Sequence, residues 1–149
     1  PPRNRNGRHT MTALGTRSLL LEIDGEEVTA EISKGVITAA GAEADFTTFA
    51  VARSGGGRDY QLEMIGVQDP ATGSLWDRVW TAAGEEVACL MKPHGNAVAT
   101  LAQPHYEFTA VISEPDGDFL GGEADASTTA RFTFEVKWKL LAKPIKITS

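Results

Sequence analysis

The stretch Gln68–Pro93, QDPATGSLWDRVWTAAGEEVACLMKP, contains the clearest helix signal in the chain. Ser74 is a favourable N-cap residue, and Asp77 is placed to complete a capping box and to favour the positive end of the helix dipole. Gly84 supplies a C-terminal stop. These signals predict one short helix, over about residues 74–83.

Two of the three tryptophans of the chain lie on this predicted helix. Trp76 and Trp80 are four residues apart, as are Leu75 and Val79, so the four side chains form an apolar face about one helix wide. The pattern therefore predicts a helix that packs on something apolar along this face.

The rest of the chain alternates short apolar runs with turn signals. SLLLEID and VTAEIS are predicted to be two strands joined by a turn at Asp24-Gly25, and DFTTFAVA (45–52) is predicted to be another strand. In ARFTFEVKWKL, the apolar residues at alternate positions (Phe132, Phe134, Val136 and Trp138) predict a half-buried strand. With roughly eight short strands and no strand–helix alternation, the sequence predicts a mainly β, antiparallel β-sandwich or barrel with one flanking α-helix.

Charge divides the chain into two parts. The chain has 149 residues, a size typical of one domain. Residues 1–17 are predicted to be a basic arm and residues 18–149 a single domain. Arg3, Arg5 and Arg8 lie in the first ten residues, which contain no acid, whereas the remainder has 11 basic and 20 acidic residues. Such an acidic body is poorly suited to binding nucleic acid across its surface, and the arm is either a disordered tail or a segment that contacts phosphate or an acidic neighbour.

Neither a membrane anchor nor thiol chemistry is expected from the composition. No apolar run approaches the roughly 18 residues of a membrane-spanning helix. Cys89 is the single cysteine, so no disulfide forms within the chain. Its apolar neighbours predict a buried structural thiol.

Candidate chemical groups are present but do not form a recognisable constellation. His94 and His105 each lie beside a proline, without the spacing of a metal motif. The segment SEPDGDFLGGEAD (113–125), here called the acidic loop, either binds calcium or is a solvated turn; its acids are Glu114, Asp116, Asp118, Glu123 and Asp125. RSGGGR (53–58) lacks the lysine and the helix of a phosphate-binding loop. We therefore expect no enzyme, no cofactor and no metal.

The order of these features resembles the major tail-tube protein of long-tailed (siphovirus-like) bacteriophages. The resemblance spans most of residues 18–144 and contains no catalytic signature. The segments that carry it are LEIDGEEVTAEISKGVIT, DFTTFA, YQLEMIGVQDPATGSLWDRVWTAAGEEVACLMKPHGN, QPHYEFTAVI, FLGGEADAS and FTFEVKWKLLAKP.

The resemblance implies a structural virion protein. Subunits of that family are β-sandwiches with a flanking helix, and they form hexameric rings that stack into a tube for genome delivery. It implies as partners other copies of the chain and other tail proteins, with DNA as a transient cargo in the lumen. It implies a location in the phage tail after assembly in the host cytoplasm. A net negative lumen would let DNA slide without sticking.

The resemblance also suggests where subunits and rings meet. The flanking helix is then able to cap the core with one tryptophan and to face a neighbouring subunit with the other; the alternative places both rings in the subunit's own core. Loops and termini are natural contacts between rings, and the arginines of the arm could pair with acids of the next ring. The candidate interface residues are Arg3, Arg5, Arg8, Arg53, Gly55, Gly56, Gly57, Arg58, Trp76 and Trp80.

Other functions fit the same sequence pattern. A capsid decoration protein, a tail terminator or an Ig-like adhesion domain shares the fold class and does not form a tube. A small ligand-binding or hydrolytic β-barrel that uses His94, His105 and the acidic loop belongs to a different class. Oligomer symmetry separates the first group from a tube subunit, and metal analysis tests the metal-dependent form of the second.

Overall fold

The computed structural model describes residues 13–41, 48–50 and 58–149. Eight strands and one two-turn helix are defined in these ranges, and residues 49–50 are also helical. A single 3₁₀ turn, Thr29–Glu31, precedes the third strand. The elements are β1 (Leu20–Ile23), β2 (Glu26–Glu27), β3 (Ile32–Gly41), β4 (Arg58–Val67), α1 (Leu75–Ala82), β5 (Glu86–Lys92), β6 (His105–Val111), β7 (Thr133–Leu140) and β8 (Ile145–Ile147).

The strands form one antiparallel sheet in the order β2-β1-β5-β6-β7-β4-β3, and β8 pairs with β6 outside this path. Every strand pair in the described residues is antiparallel. The prediction of a mainly β, antiparallel fold with one flanking helix is confirmed.

The sheet folds back on itself where β6 meets β7. These two strands pair at only two positions, Ala110 with Leu140 and Val111 with Lys139, whereas β4 and β7 pair from Gln61 to Val67. Buried residues from both halves belong to one hydrophobic cluster. The fold is therefore sandwich-like, with the two halves of a bent sheet enclosing a single core.

Strand β7 shows how the alternating pattern builds this core. Its residues are buried and exposed in strict alternation, and the inward row consists of Phe134, Val136, the fully buried Trp138 and Leu140. Phe132 differs from its prediction, because it precedes the first residue of the strand and is half-exposed. The alternation in the sequence therefore predicted the strand correctly, but the predicted row of inward residues began one position too early, at Phe132.

The predicted hairpin at Asp24-Gly25 is confirmed. Both residues have positive φ, 53° and 80°, as a tight two-residue β-turn of the mirror-image type requires. The predicted return strand VTAEIS is wrong in part, because β2 has only two residues and the chain then enters the 3₁₀ turn. The Thr29 hydroxyl accepts a hydrogen bond from the Leu21 amide at 3.2 Å, and this bond stabilises the turn against β1.

The predicted strand DFTTFAVA falls mostly outside the described residues. Of its eight positions, only Thr48, Phe49 and Ala50 are described, and the last two are helical. The prediction is wrong for Phe49 and Ala50, which are helical, and both residues are exposed, so neither has the buried side that an alternating strand needs.

Within the described ranges, no helix has the length and the apolar character needed to cross a membrane.

Candidate subunit interface

The N-terminus of α1 is fixed by side chains on both sides of it. The Ser74 hydroxyl accepts a hydrogen bond from the Asp77 amide at 3.1 Å and donates one to the Asp69 carbonyl oxygen. The Glu31 carboxylate accepts a hydrogen bond from the Leu75 amide at 3.0 Å. Because the first helical amides lack partners within the helix, these contacts satisfy donors that would otherwise be left without one.

The predicted capping box forms in a modified version. The Asp77 carboxylate accepts a hydrogen bond from the Gly73 amide at 3.3 Å instead of from the amide of Ser74, which donates to the Ala71 carbonyl oxygen at 3.1 Å. The carboxylate still lies at the positive end of the helix, where a negative charge is favourable.

The far end of α1 is held by the sheet. Gly84 has φ of +95°, and its amide donates a hydrogen bond of 2.7 Å to the Ile112 carbonyl oxygen. On the helix, the guanidinium of Arg78 lies 3.4 Å from the carboxylates of Asp24 and Glu26 in the β1–β2 hairpin. These contacts fix the orientation of the helix, and with it the direction in which each tryptophan points.

The two tryptophans of the helix have different environments. Trp76 is 8% exposed and belongs to the core together with Leu75 and Val79, whereas Trp80 is 51% exposed. The alternative that both rings lie in the core is therefore wrong for Trp80. That Trp80 contacts a neighbouring subunit stays a prediction.

A third ring joins the two indoles. Trp76 and Trp80 are stacked, with ring centroids 5.2 Å apart and planes 29° apart. The ring of Phe119 is tilted against both, at 4.8 Å from Trp80 and 5.9 Å from Trp76. Such offset and tilted geometries are favourable for aromatic pairs, so Trp80 is held in place although half of its surface faces solvent.

Further apolar side chains extend this cluster across the surface. Leu120 is 71% exposed and Phe132 is 48% exposed. Between them lies an apolar groove of about 250 Å³, which Trp76, Pro70 and Gly121 also line. Trp80, Phe119, Leu120 and Phe132 together are called the aromatic surface below. Contiguous exposed apolar groups of this kind are typical of interaction sites.

The acidic loop carries half of the aromatic surface and is anchored at its centre. The Gln68 side chain donates to the carbonyl oxygens of Gly121 and Thr133 at 3.0 and 2.9 Å. Its amide oxygen accepts from the Gly121 amide at 2.7 Å. The amide nitrogen and the amide oxygen of Gln68 both bind Gly121 of the loop, and the nitrogen also binds Thr133 of β7. These bonds fix the position of Leu120 beside the groove.

Negative charge surrounds these apolar groups. Residues 112–130 contain five acids and no lysine or arginine. The ion pairs found in the described ranges involve Asp24, Glu26, Glu22 and Glu63, and none involves an acid of the acidic loop. The aromatic surface is therefore flanked by carboxylates whose charge no described lysine or arginine neutralises by direct contact.

Arg58 lies far from the aromatic surface. It begins β4, whereas Gln68, which follows the last residue of β4, lines the apolar groove. A ten-residue strand spans about 30 Å. The structure thus separates the predicted interface into two regions at opposite ends of β4. The predicted contacts at Arg3, Arg5, Arg8, Arg53, Gly55, Gly56 and Gly57 lie outside the described residues.

Strand β3 forms one edge of the sheet. It pairs with β4 from Ile32 to Gly41, with a register shift between Ile32 and Lys34, and no described strand pairs with its other side. Its ten residues, ISKGVITAAG, contain one charge, at Lys34. Edge strands usually carry charges or bulges that prevent further pairing. In β3 the register shift and the charge both lie at its start, so the regular and uncharged run of residues 35–41 is suited to accept another strand.

The groups with potential chemistry are separate or buried. The His105 ring is buried, and its Nε2 lies 2.9 Å from the Asn96 carbonyl oxygen. In the described ranges, no three His, Cys, Asp or Glu residues are grouped so that they could hold a metal ion. Cys89 is buried, as predicted, and burial raises the pKa of its thiol to about 12. The thiol is therefore neutral and inaccessible at ordinary pH.

Sequence reasoning identified Trp80 but missed its partners. Phe119, Leu120 and Phe132 lie outside the strands, where no periodicity indicates which side chains face solvent. The available signal was the Phe-Leu pair within an otherwise polar, turn-rich segment, since two large apolar residues in a solvated loop need a partner surface.

No protein-family model matches the sequence, and no curated protein matches it.

Proposed function

We propose that this chain is a structural subunit of a long-tailed phage tail tube, which self-assembles into stacked rings that conduct the genome. The observation that carries the proposal is the aromatic surface at one end of a sandwich-like domain, where Trp80 is held in a fixed position and half-exposed. Because the ring is held in place, its exposed apolar area is removed from water only when another molecule covers it. That burial is favourable and drives association.

The two ends of the subunit support an open-ended assembly. The aromatic surface lies at one end of β4 and Arg58 at the other. Two different surfaces that face opposite directions favour head-to-tail contacts. Such contacts produce an open filament when the rotation that relates successive subunits does not bring the last one back to the first. Rings that stack in this manner form a tube.

The edge strand β3 supplies the contact within a ring. An added strand from a neighbouring subunit would pair with its outer backbone groups and extend the sheet. Backbone hydrogen bonds of this kind give affinity without specific side chains, which agrees with the small and mostly uncharged residues of β3. In this proposal, β3 joins subunits laterally and the aromatic surface joins them at their ends.

The charge of the domain supports DNA as cargo and not as a bound ligand. Residues 11–149 have a formal charge of −9, and a negative lumen repels the phosphates of a passing genome. The tail tube also places the chain in the virion, with other tail proteins at the two ends of the tube.

Sedimentation velocity over a range of protein concentrations tests the proposal. A tube subunit gives a broad series of growing species, because each added ring presents the same free end again. A capsid decoration protein, a tail terminator or an adhesion domain gives one closed species of fixed size at all concentrations, and this result would overturn the proposal.

A further inference from the structure

We infer that the aromatic surface, together with the acidic loop that carries Phe119 and Leu120, is a docking site for residues 1–12 of a second copy of this chain. The inference rests on the proposed function for the identity of the partner. It adds the segment that binds and the surface that receives it.

The receiving surface is negative. The acidic loop has five carboxylates, and Asp69 and Asp77 add two more at the adjacent start of α1. Arg131 is the nearest base in sequence to Phe132, and its guanidinium donates to the carbonyl oxygens of Thr128 and Ala130 at 3.4 and 2.9 Å. It lines a pocket with Glu123 and Asp125, and Lys137 lines another with Glu114 and Asp116. Neither base forms an ion pair with an acid of the loop in the described residues, so the five carboxylates exceed the two nearby bases and are open to direct contact with a further cation.

The proposed occupant has the complementary charge. Residues 1–12, PPRNRNGRHTMT, contain three arginines and no acid. Fully extended, twelve residues reach about 40 Å, which is long enough to cross from one subunit of this size to the next. Apart from windows that overlap it, no segment of twelve residues in the chain combines three arginines with the absence of acids.

Arginine suits both parts of the surface. A planar guanidinium stacks on an exposed indole face while its N–H groups bind a neighbouring carboxylate. Trp80 presents the half-exposed indole, and Asp118 immediately precedes its ring partner Phe119 in the sequence. One arginine side chain is thus able to contact an aromatic face and an acid together, which a lysine does less well because its ammonium is compact and strongly hydrated.

The site is formed before anything binds. Trp80 is fixed by two ring contacts, and the loop is fixed by three hydrogen bonds of the Gln68 side chain. Because the receiving surface is already ordered, it adds little to the entropy cost of docking.

A peptide titration tests the inference without requiring tube assembly. The receiver is the full-length chain with its own arginines neutralised (Arg3→Gln, Arg5→Gln and Arg8→Gln), and the probe is a synthetic peptide of residues 1–12. Binding is followed by tryptophan fluorescence and by calorimetry. We expect saturable binding that weakens with salt, and no binding of a peptide in which glutamine replaces the three arginines.

Matched charge variants of the receiver locate the site. Asp116→Asn with Asp118→Asn removes two charges from the acidic loop, and Asp59→Asn with Glu107→Gln removes two exposed charges from β4 and β6. We expect the first pair to weaken peptide binding by about tenfold or more and the second pair by about twofold or less. Equal effects of the two pairs, or no binding of the wild-type peptide, would overturn the inference.

The outcomes separate this inference from the proposed function. Peptide binding at the acidic loop by a chain that never forms tubes leaves the docking site standing and rejects the tail tube. Tubes that form normally while the peptide fails to bind reject the docking site alone. In the wild-type chain, a fluorescence signature of docking that persists unchanged on dilution would show that each arm occupies its own subunit, which would overturn the assignment to a second copy.

Discussion

The indole N–H of Trp76 donates a hydrogen bond of 2.8 Å to the carbonyl oxygen of Phe119. This bond joins the helix to the acidic loop across 43 residues of sequence, and it places the Phe119 ring against Trp80. A core residue thus supports an exposed one, because the buried tryptophan fixes the loop on which the aromatic surface depends.

Replacing Trp80 by alanine is expected to affect assembly more than folding. The ring is half-exposed, so its loss costs mainly its aromatic contacts, about 1–2 kcal/mol of unfolding free energy. Trp138→Ala is the matched control, since that ring is fully buried, and its loss costs about 3–5 kcal/mol. Chemical denaturation measures both values, and sedimentation measures assembly.

Two results would contradict this account of Trp80. One is an unfolding cost as large as that of Trp138→Ala, which would place the ring in the core. The other is a folded Trp80→Ala chain that assembles as the wild type does, which would show that the exposed ring takes no part in subunit contacts.

Ser74→Ala is expected to destabilise the chain by about 1–2 kcal/mol, because the substitution removes both hydrogen bonds of the hydroxyl at the start of α1. Ser74→Thr is the control, since threonine is also a favourable N-cap residue and its hydroxyl can both accept from the Asp77 amide and donate to the Asp69 carbonyl oxygen. Thermal or chemical unfolding measures the difference. Equal stability of the alanine and threonine variants would show that the cap contributes little.

Gly66→Ala is expected to cost about 1–3 kcal/mol by overpacking. A Cβ atom at this position would lie 3.0 Å from the Phe134 ring, which crosses the glycine from the paired position on β7. Gly117→Ala is the control in an open position, where a Cβ meets nothing within 4 Å and the cost is within about 0.5 kcal/mol. If the two variants are equally stable, the ring is free to move aside.

The Cys89 thiol is expected to make stability fall at high pH. Burial raises the pKa of this thiol from 9.0 to about 12 in the folded chain. Between these values the unfolded chain loses the thiol proton and the folded chain keeps it, so the unfolded state is favoured as pH rises. The contribution is complete below pH 9 and is lost toward pH 12.

Cys89→Ala isolates this contribution. Denaturation at pH 8 and at pH 10.5 gives the loss of stability between the two conditions, and we expect that loss to be smaller in the variant than in the wild type. Equal losses would show that the thiol titrates alike in both states. A thiol reagent gives a second check, because the native wild-type chain should react only at the rate at which it unfolds.

The sequence predicted the features whose physics is local. The cap at Ser74, the stop at Gly84 and the turn at Asp24-Gly25 are set by neighbouring residues, and the structure has each of them. The alternation along β7 is similarly local, because a strand with one buried face shows a period of two.

Features set by distant contacts were predicted less well. The short β2 and the 3₁₀ turn after it depend on where Thr29 and Glu31 meet β1 and α1, and no local pattern signals either contact. The aromatic surface likewise combines Trp80 with residues about 40 and 50 positions later in the chain, which are adjacent only because the sheet brings the acidic loop onto the helix.

The central claim, that this chain forms a tail tube, is tested most directly by negative-stain electron microscopy of the purified protein at rising concentration. The account predicts hollow filaments of stacked rings, which are shorter or absent in Trp80→Ala at the same concentration. Discrete small particles at every concentration, even after an initiator complex is added, would contradict it.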